Sequence, residues 1–92
     1  MRFEWDSRKD ALNLERHRIS FQEASTAFDD PLSIPFFDPD HSDDEDRFIL
    51  MGASSRGTLL MVAHTYHGER VRIISARLMW REERVRYEAG AN

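Results

Sequence analysis

The side chains best suited to chemistry lie in the second half of the chain, where arginines recur at short intervals. Arg70, Arg72 and Arg77 lie on one predicted strand, and Arg81 and Arg84 follow Arg77 at i+4 and i+7 if a helix begins there. The planar guanidinium group suits phosphate better than an ammonium does. Strict alternation places Arg77 on the opposite sheet face from Arg70 and Arg72 unless the strand is bulged or twisted, so a single site with all five is not expected. The pattern predicts a surface for an anionic ligand such as nucleic acid.

Metal-free cleavage of RNA is the chemistry that these residue types would support. Such a reaction needs a base for the ribose 2'-hydroxyl, a cation for the crowded phosphorane and an acid for the leaving 5'-oxygen. The candidate catalytic residues are His64, His67, Arg72, Arg77, Glu83 and Tyr87, and the candidate phosphate-binding residues are Arg70, Arg81 and Arg84. The alternative is structural: the histidines are satisfied core or surface groups, and the arginines form a solvated face that pairs with nearby glutamates.

Two helices are predicted near the start of the chain. Asp6 is a suitable N-cap for a helix over residues 7–17. Ser20 and Glu23 have the spacing of a capping box at the start of a second helix, which the segment 29–31 ends with a proline.

A sheet and a last helix are predicted to follow. Strands are expected over residues 32–37, 47–52, 58–66 and 69–77, and the closing helix over residues 78–88. Residues 3–5 alternate like a short strand or an extended lead-in. The fold class is therefore α+β, with two N-terminal helices, an antiparallel sheet of about four strands and a C-terminal helix. The apolar run within 58–66 predicts that both sheet faces are covered, one by the first two helices and the other by the last helix or a partner.

The acidic segment 38–46 is predicted to be a loop. Its side chains alternate as at the opening of a calcium-binding EF-hand loop, but Asp43 stands in place of the turn glycine and Ile49 in place of the closing glutamate. No metal site and no cofactor are therefore predicted. A solvated loop is the leading interpretation, and docking of a basic partner segment or a small regulatory metal-binding domain are the alternatives.

Composition limits the class of protein. A chain of 92 residues with 40% hydrophobic content is expected to fold as one domain over residues 1–92. Without cysteine it has no disulfide, thiolate nucleophile or cysteine-bound zinc. The longest apolar stretch, residues 59–63, is far shorter than the roughly 20 residues that cross a bilayer, so a cytoplasmic protein without a membrane partner is expected. Residues 1–46 carry a net charge of −8 and residues 47–92 a net charge of +4, which places the basic surface in the second half.

Several blocks of the sequence, in one order and at one spacing, resemble the BrnT family of type II toxins. The blocks are Phe3-Glu4-Trp5-Asp6 with Lys9, Asn13 and His17; Phe21-x-Glu23-Ala24; Phe28-x-Asp30-Pro31; Asp40-His41-Ser42 with Glu45 and Arg47; Leu59-Leu60 with Val62, His64 and Thr65; residues 72–77; and Glu83-Arg84-x-x-Tyr87-Glu88. The resemblance covers nearly the whole chain.

The resemblance implies a RelE-like ribonuclease toxin of the cytoplasm that cleaves RNA without a metal and inhibits translation. It also implies a BrnA-like antitoxin as the partner, in a hetero-oligomer built on an antitoxin dimer. The antitoxin would bind promoter DNA, and the toxin would contact DNA only indirectly.

The sequence departs from the family pattern beside the expected site. Leu78, Met79 and Trp80 stand where Lys-Ala-Thr is usual, and Tyr66 and His67 stand where Glu-Arg is common. Two hypotheses follow. The first is an active metal-independent endoribonuclease, and the second is a catalytically degenerate member that acts as a binding partner of a DNA-binding antitoxin in autoregulation.

Overall fold

Five strands and three helices make up the part of the chain that the computed structural model describes, residues 1–90. The strands are β1 (Arg2–Glu4), β2 (Ile34–Phe37), β3 (Phe48–Ala53), β4 (Leu59–His67) and β5 (Arg70–Leu78), and the helices are α1 (Ser7–His17), α2 (Phe21–Thr26) and α3 (Arg81–Ala89). Short 3₁₀ turns cover Ala27–Asp29 and Pro39–His41. None of the described helices combines the length and the apolar character that a bilayer span requires.

The strands form one mixed sheet in the order β1-β5-β4-β3-β2. The α+β class is confirmed, but the expectation of about four antiparallel strands is wrong. Residues 2–4 pair in parallel with residues 70–72, which adds a fifth strand. A three-residue strand carries almost no periodic signal of its own, and its partner lies at the far end of the chain, so the pairing is set by tertiary contacts.

Local signals define the first two helices. The Asp6 carboxylate accepts hydrogen bonds from the backbone N–H groups of Arg8 and Lys9, at 2.8 and 3.3 Å, and these bonds lower the Asp6 pKa. Ser20 Oγ accepts from Glu23 N at 3.0 Å at the start of α2. The expected capping box is only half formed, because the Glu23 carboxylate accepts from the Ser54 hydroxyl at 2.8 Å.

The last helix begins at Arg81, three positions later than predicted. Leu78 still pairs with Leu60 in the β4–β5 hairpin, and Met79 N donates to Leu59 O at 3.0 Å. Sheet pairing therefore continues through Leu78 and Met79, which the sequence pattern had assigned to the last helix. Arg77 is a strand residue.

The sheet has two different faces. Helices α1 and α2 cover the first face, where the fully buried side chains of Phe21, Leu60, Val62 and Ile73 lie. The second face has a smaller cluster of three buried methionines, packed by Tyr87 of α3: Met51, Met61 and Met79. Because α3 covers only part of the second face, polar residues of β4 and β5 remain open to solvent there.

Asn13 fastens α1 to the edge of β5 beyond the short β1. Its side-chain amide donates to the carbonyls of Ile19 and Ala76, both at 2.9 Å, and its oxygen accepts from Ala76 N at 3.1 Å. The side chain is buried and satisfies the backbone N–H and carbonyl of Ala76, as a neighbouring strand would. Asn13 therefore fixes the backbone immediately before Arg77.

Candidate active site

A bulge in β5 brings the strand arginines to one face of the sheet. Ala63 pairs with Ser75 and His64 with Ile73, which leaves Ile74 without a partner. Ile73 and Ala76 are three residues apart, yet both belong to the core under α1 and α2. Arg72 precedes Ile73, Arg77 follows Ala76, and Arg70 and Arg72 flank the buried Val71. All three arginines therefore lie on the opposite face, as the bulged alternative required.

Glu4 organises the first group of cations on this face. Its carboxylate accepts from Arg72 at 2.9 Å and lies 3.7 Å from the Arg70 guanidinium. The His67 ring lies 3.3 Å from Glu4 on one side and 3.3 Å from Glu45 on the other. The hydrogen bond from Arg72 is the main cause of the lowered Glu4 pKa. We call Glu4, Glu45, His67, Arg70 and Arg72 the Glu4 cluster.

A cavity of about 350 Å³ lies on the same face, beyond the bulge. Its polar wall consists of Asp38, His41, Arg47, Ser75, Arg77 and Glu83. Its apolar floor consists of Phe36, Ile49, Met61 and Ala63. We call this cavity the pocket. Its wall combines cations, a carboxylate-linked imidazole and a hydroxyl, which is a set suited to acid–base chemistry on an anionic substrate.

Glu83 holds Arg77 in a fixed orientation. The two guanidinium nitrogens donate to the two carboxylate oxygens at 2.8 and 2.9 Å. Trp80 N also donates to Glu83, at 2.7 Å, and the Arg77 guanidinium lies 4.0 Å from the Trp80 ring centroid. The hydrogen bond from Arg77 is the main reason that the Glu83 pKa is lowered, so Glu83 is ionised at neutral pH.

His41 forms an oriented pair with Asp38 in the pocket. Its Nδ1 lies 2.9 Å from the Asp38 carboxylate. The loop is fixed around the pair, because Ser42 Oγ donates to the Asp38 carbonyl at 2.6 Å and accepts from Arg47 N at 2.9 Å. Sequence reasoning did not select His41, Asp38 or Arg47 as site residues. The i, i+3 spacing of Asp38 and His41 around Pro39 was the signal, since a single turn of 3₁₀ helix brings such residues together.

His64 lies away from the pocket, in the core on the first face. Its side chain is 0% exposed and is surrounded by the rings of Phe28, Phe48 and Tyr66. Nδ1 lies 3.0 Å from the Val62 carbonyl, and Nε2 has no hydrogen-bond partner among the described residues. Burial lowers the His64 pKa, so the ring is neutral at pH 7. The structure therefore does not bring this predicted catalytic residue to the arginines.

Tyr87 also has a different environment from the one expected. Its hydroxyl donates to the Asp30 carboxylate, which also accepts from Ala53 N and Leu32 N, at 2.8 and 2.9 Å. Burial and the Asp30 bond raise the Tyr87 pKa to about 12. Burial disfavours the Asp30 carboxylate, but its hydrogen bonds outweigh that effect and lower the Asp30 pKa. Tyr87 thus links α3 to the loop before β2.

The remaining predicted residues lie on exposed turns of α3. Arg81 and Arg84 are exposed and lie outside the pocket lining. Within residues 1–90 neither of them, nor Arg47, has a carboxylate within ion-pair distance. Of the nine predicted site residues, Arg77 and Glu83 line the pocket, and His67, Arg70 and Arg72 form the Glu4 cluster beside it.

The acidic segment between β2 and β3 has the side-chain types of a metal site but departs from the EF-hand spacing. Over the described range, no three histidine, aspartate or glutamate side chains are grouped in a way that could hold a metal ion. His41 and Asp38 bond to each other, and Glu45 bonds to His67.

Comparison with known proteins gives a family. A sequence model described as "Ribonuclease toxin, BrnT, of type II toxin-antitoxin system" matches residues 5–83. The chain is also similar to the 1.1 Å crystal structure of the Brucella abortus ribonuclease toxin BrnT, at 20% identity and a TM-score of 0.67, over 88% of this chain and 99% of that chain. No curated protein matches. The structural likeness shows a shared fold, and the sequence match, which confirms the resemblance noted above, shows that the chain belongs to the BrnT family of ribonuclease toxins of type II toxin–antitoxin systems.

Proposed function

We propose that the protein is a metal-independent endoribonuclease that inhibits translation in the cytoplasm and is neutralised by a BrnA-like antitoxin. The observation that carries this proposal is the pocket, where two arginines and an aspartate-linked histidine surround a space of about 350 Å³. The family match supports the toxin class and an antitoxin partner. DNA would be contacted only through the antitoxin.

Arg77 and Arg47 are the proposed phosphate-binding groups of the pocket. A scissile phosphodiester gains negative charge as the phosphorane forms, and fixed guanidinium groups stabilise that charge. Glu83 aligns Arg77 with two hydrogen bonds, so the cation does not have to reorganise during the reaction. Arg70, Arg72, Arg81 and Arg84 extend the positive surface for the rest of the RNA strand, by contacts that are blind to sequence.

His41 is the proposed general base. With its Nδ1–H donated to Asp38, the lone pair of Nε2 is free to accept the proton of the ribose 2'-hydroxyl. The 2'-oxygen then attacks phosphorus, the bond to the 5'-oxygen breaks, and a 2',3'-cyclic phosphate forms. The leaving 5'-oxygen also needs an acid, and the proposed group is His67, which lies outside the pocket lining, in the Glu4 cluster on the same face.

The experiment is RNA cleavage by the purified protein in EDTA, with His41→Ala, Arg77→Ala and a matched control. Arg56→Ala is the control, because its side chain is 80% exposed on the β3–β4 turn. We expect cleavage in EDTA, a loss of about 10²–10⁴-fold for His41→Ala and about 10²–10³-fold for Arg77→Ala. Undiminished cleavage by both variants, folded as judged by circular dichroism, would remove the pocket from the mechanism.

The second candidate function is a non-catalytic partner of the antitoxin, acting in autoregulation. It is favoured by the ion pairs that the strand arginines already form within the chain. Glu83 pairs with Arg77, and Glu4 pairs with Arg70 and Arg72. Expression without the antitoxin separates the two functions. Growth arrest that co-expression of a BrnA-like antitoxin reverses supports the nuclease, and normal growth with abundant folded protein supports the partner.

A further inference from the structure

Trp80 is an exposed aromatic residue on a fixed piece of backbone beside the pocket. The residue is 63% exposed. The backbone N–H of Trp80 donates to the Glu83 carboxylate at 2.7 Å, and the backbone carbonyl of Trp80 accepts from Arg84 N at 2.9 Å. The preceding residue, Met79, is buried, and its N–H donates to the Leu59 carbonyl. The indole is therefore displayed to solvent from a position that its neighbours hold rigidly.

Arg77 connects this indole to the pocket. Its guanidinium carbon lies 4.0 Å from the ring centroid of Trp80, and the same side chain lines the pocket. The guanidinium lies over one face of the ring, and the high exposure of Trp80 shows that the indole is otherwise open to solvent. A phosphate held by Arg77 therefore has the free indole surface as its neighbour.

The helix itself gives no reason for a tryptophan here. Trp80 is the N-cap residue of α3, a position where a short polar side chain usually accepts a hydrogen bond from the first turn. The indole makes no such bond, and Glu83 instead bonds the N-cap backbone. An exposed aromatic group that serves neither the cap nor the core is available for a ligand.

We propose that Trp80 is a stacking platform for one nucleobase of single-stranded RNA whose adjoining phosphate lies at Arg77. This inference rests on the proposed function and names its substrate class. Every nucleobase has a π-face, so an aromatic platform beside a cation binds single strands with little sequence preference. A base paired in a duplex is stacked on its neighbours and cannot reach such a platform.

The test is binding of a mixed-sequence 2'-O-methyl oligoribonucleotide to the full chain. This probe has no free 2'-hydroxyl and is not cleaved by the proposed route. The variants are Trp80→Ala, Trp80→Phe and the matched control Leu78→Ala, since Leu78 is 53% exposed in the same segment. We expect binding about 5- to 100-fold weaker for Trp80→Ala, near wild type for Leu78→Ala, and largely retained for Trp80→Phe, whose ring still stacks.

Two further measurements separate stacking from charge. The oligonucleotide should quench the indole fluorescence of the wild type, and the quenching should vanish in Trp80→Phe, whose remaining tryptophan is Trp5. A probe with abasic units should bind wild type and Trp80→Ala alike, because only the sugar–phosphate contacts remain.

The outcomes distinguish this inference from the proposed function. Equal binding of the intact oligonucleotide by wild type and Trp80→Ala overturns the platform, while RNA cleavage in EDTA would leave the proposed function standing. A wild type that neither binds nor cleaves RNA overturns both. A Trp80→Ala variant that binds RNA normally and loses its antitoxin identifies Trp80 as a protein contact and also overturns the platform.

Discussion

Replacing Asn13 should destabilise the protein strongly, although this residue touches neither the pocket nor the Glu4 cluster. Asn13 is 6% exposed and makes three hydrogen bonds, two to carbonyl oxygens and one from Ala76 N. At about 1 kcal/mol for each bond, Asn13→Ala should lower the free energy of unfolding by about 3 kcal/mol. That is a large part of the roughly 5–14 kcal/mol available to a chain of this length.

Asn13→Asp is the sharper variant, because it keeps the volume of the side chain and the acceptor for Ala76 N. It loses both donors and sets a carboxylate against two carbonyl oxygens, so the loss at pH 7 should be at least as large as for Asn13→Ala. Urea denaturation followed by tryptophan fluorescence measures both values at constant m. Leu14→Ala, at a half-exposed position of the same helix, is the control and should change stability by less than about 0.5 kcal/mol.

A loss below about 1 kcal/mol for both Asn13 variants would contradict this account of the β5 edge. The expected functional consequence follows from position, since Asn13 fixes Ala76 and Ala76 precedes Arg77. At a temperature where Asn13→Asp is still folded, its RNA cleavage should fall while that of Leu14→Ala is unchanged.

Three further predictions concern pH and packing. Glu83 has a lowered pKa, so its bond to Arg77 stabilises the protein above the unfolded pKa, and that stability is lost as the pH falls through the folded value; Glu83→Gln should flatten the denaturation profile below about pH 5. His64 is buried and neutral with a lowered pKa, so protonation in the unfolded state lowers stability as the pH falls below about 6.5; His64→Phe should reduce the loss between pH 7 and pH 5, and an unchanged slope would contradict the burial argument. Gly52→Ala should lower the thermal midpoint by several degrees, because a Cβ there would lie 2.9 Å from the Ala27 carbonyl oxygen; an unchanged midpoint would show that the backbone relaxes without cost.

The helix starts were predictable from the sequence because their signals are local. Asp6 and Ser20 cap the helices within three residues of themselves, and the bounds of α1 agree with the expected 7–17. Residues 3–5 were predicted as a short strand or an extended lead-in, and only the pairing with β5, at the other end of the chain, decides for the strand β1. The α3 start was misplaced for a similar reason, because the hairpin partner of Leu78 outweighs its helical spacing.

The candidate site was only partly predictable. Arginine content in the second half led to Arg77 and Glu83, which meet in the pocket. The bulge at Ile74 decides which arginines share a face, and alternation alone gives no sign of it. His64 is a histidine on a strand, which made it a candidate catalyst. Its burial depends on which face of the sheet it lies on, and the alternation of the sequence does not show which face the helices cover.

The position of the first strand beside the last has a consequence for synthesis of the protein. In a chain made from its N-terminus, Arg2–Glu4 emerges early but acquires its partner only after Arg70–Arg72 has left the ribosome. The pocket likewise draws residues from Phe36 to Glu83, so a nascent chain lacks the groups that complete it. The proposed site of this BrnT-family chain is therefore complete only after nearly all of the chain has been translated.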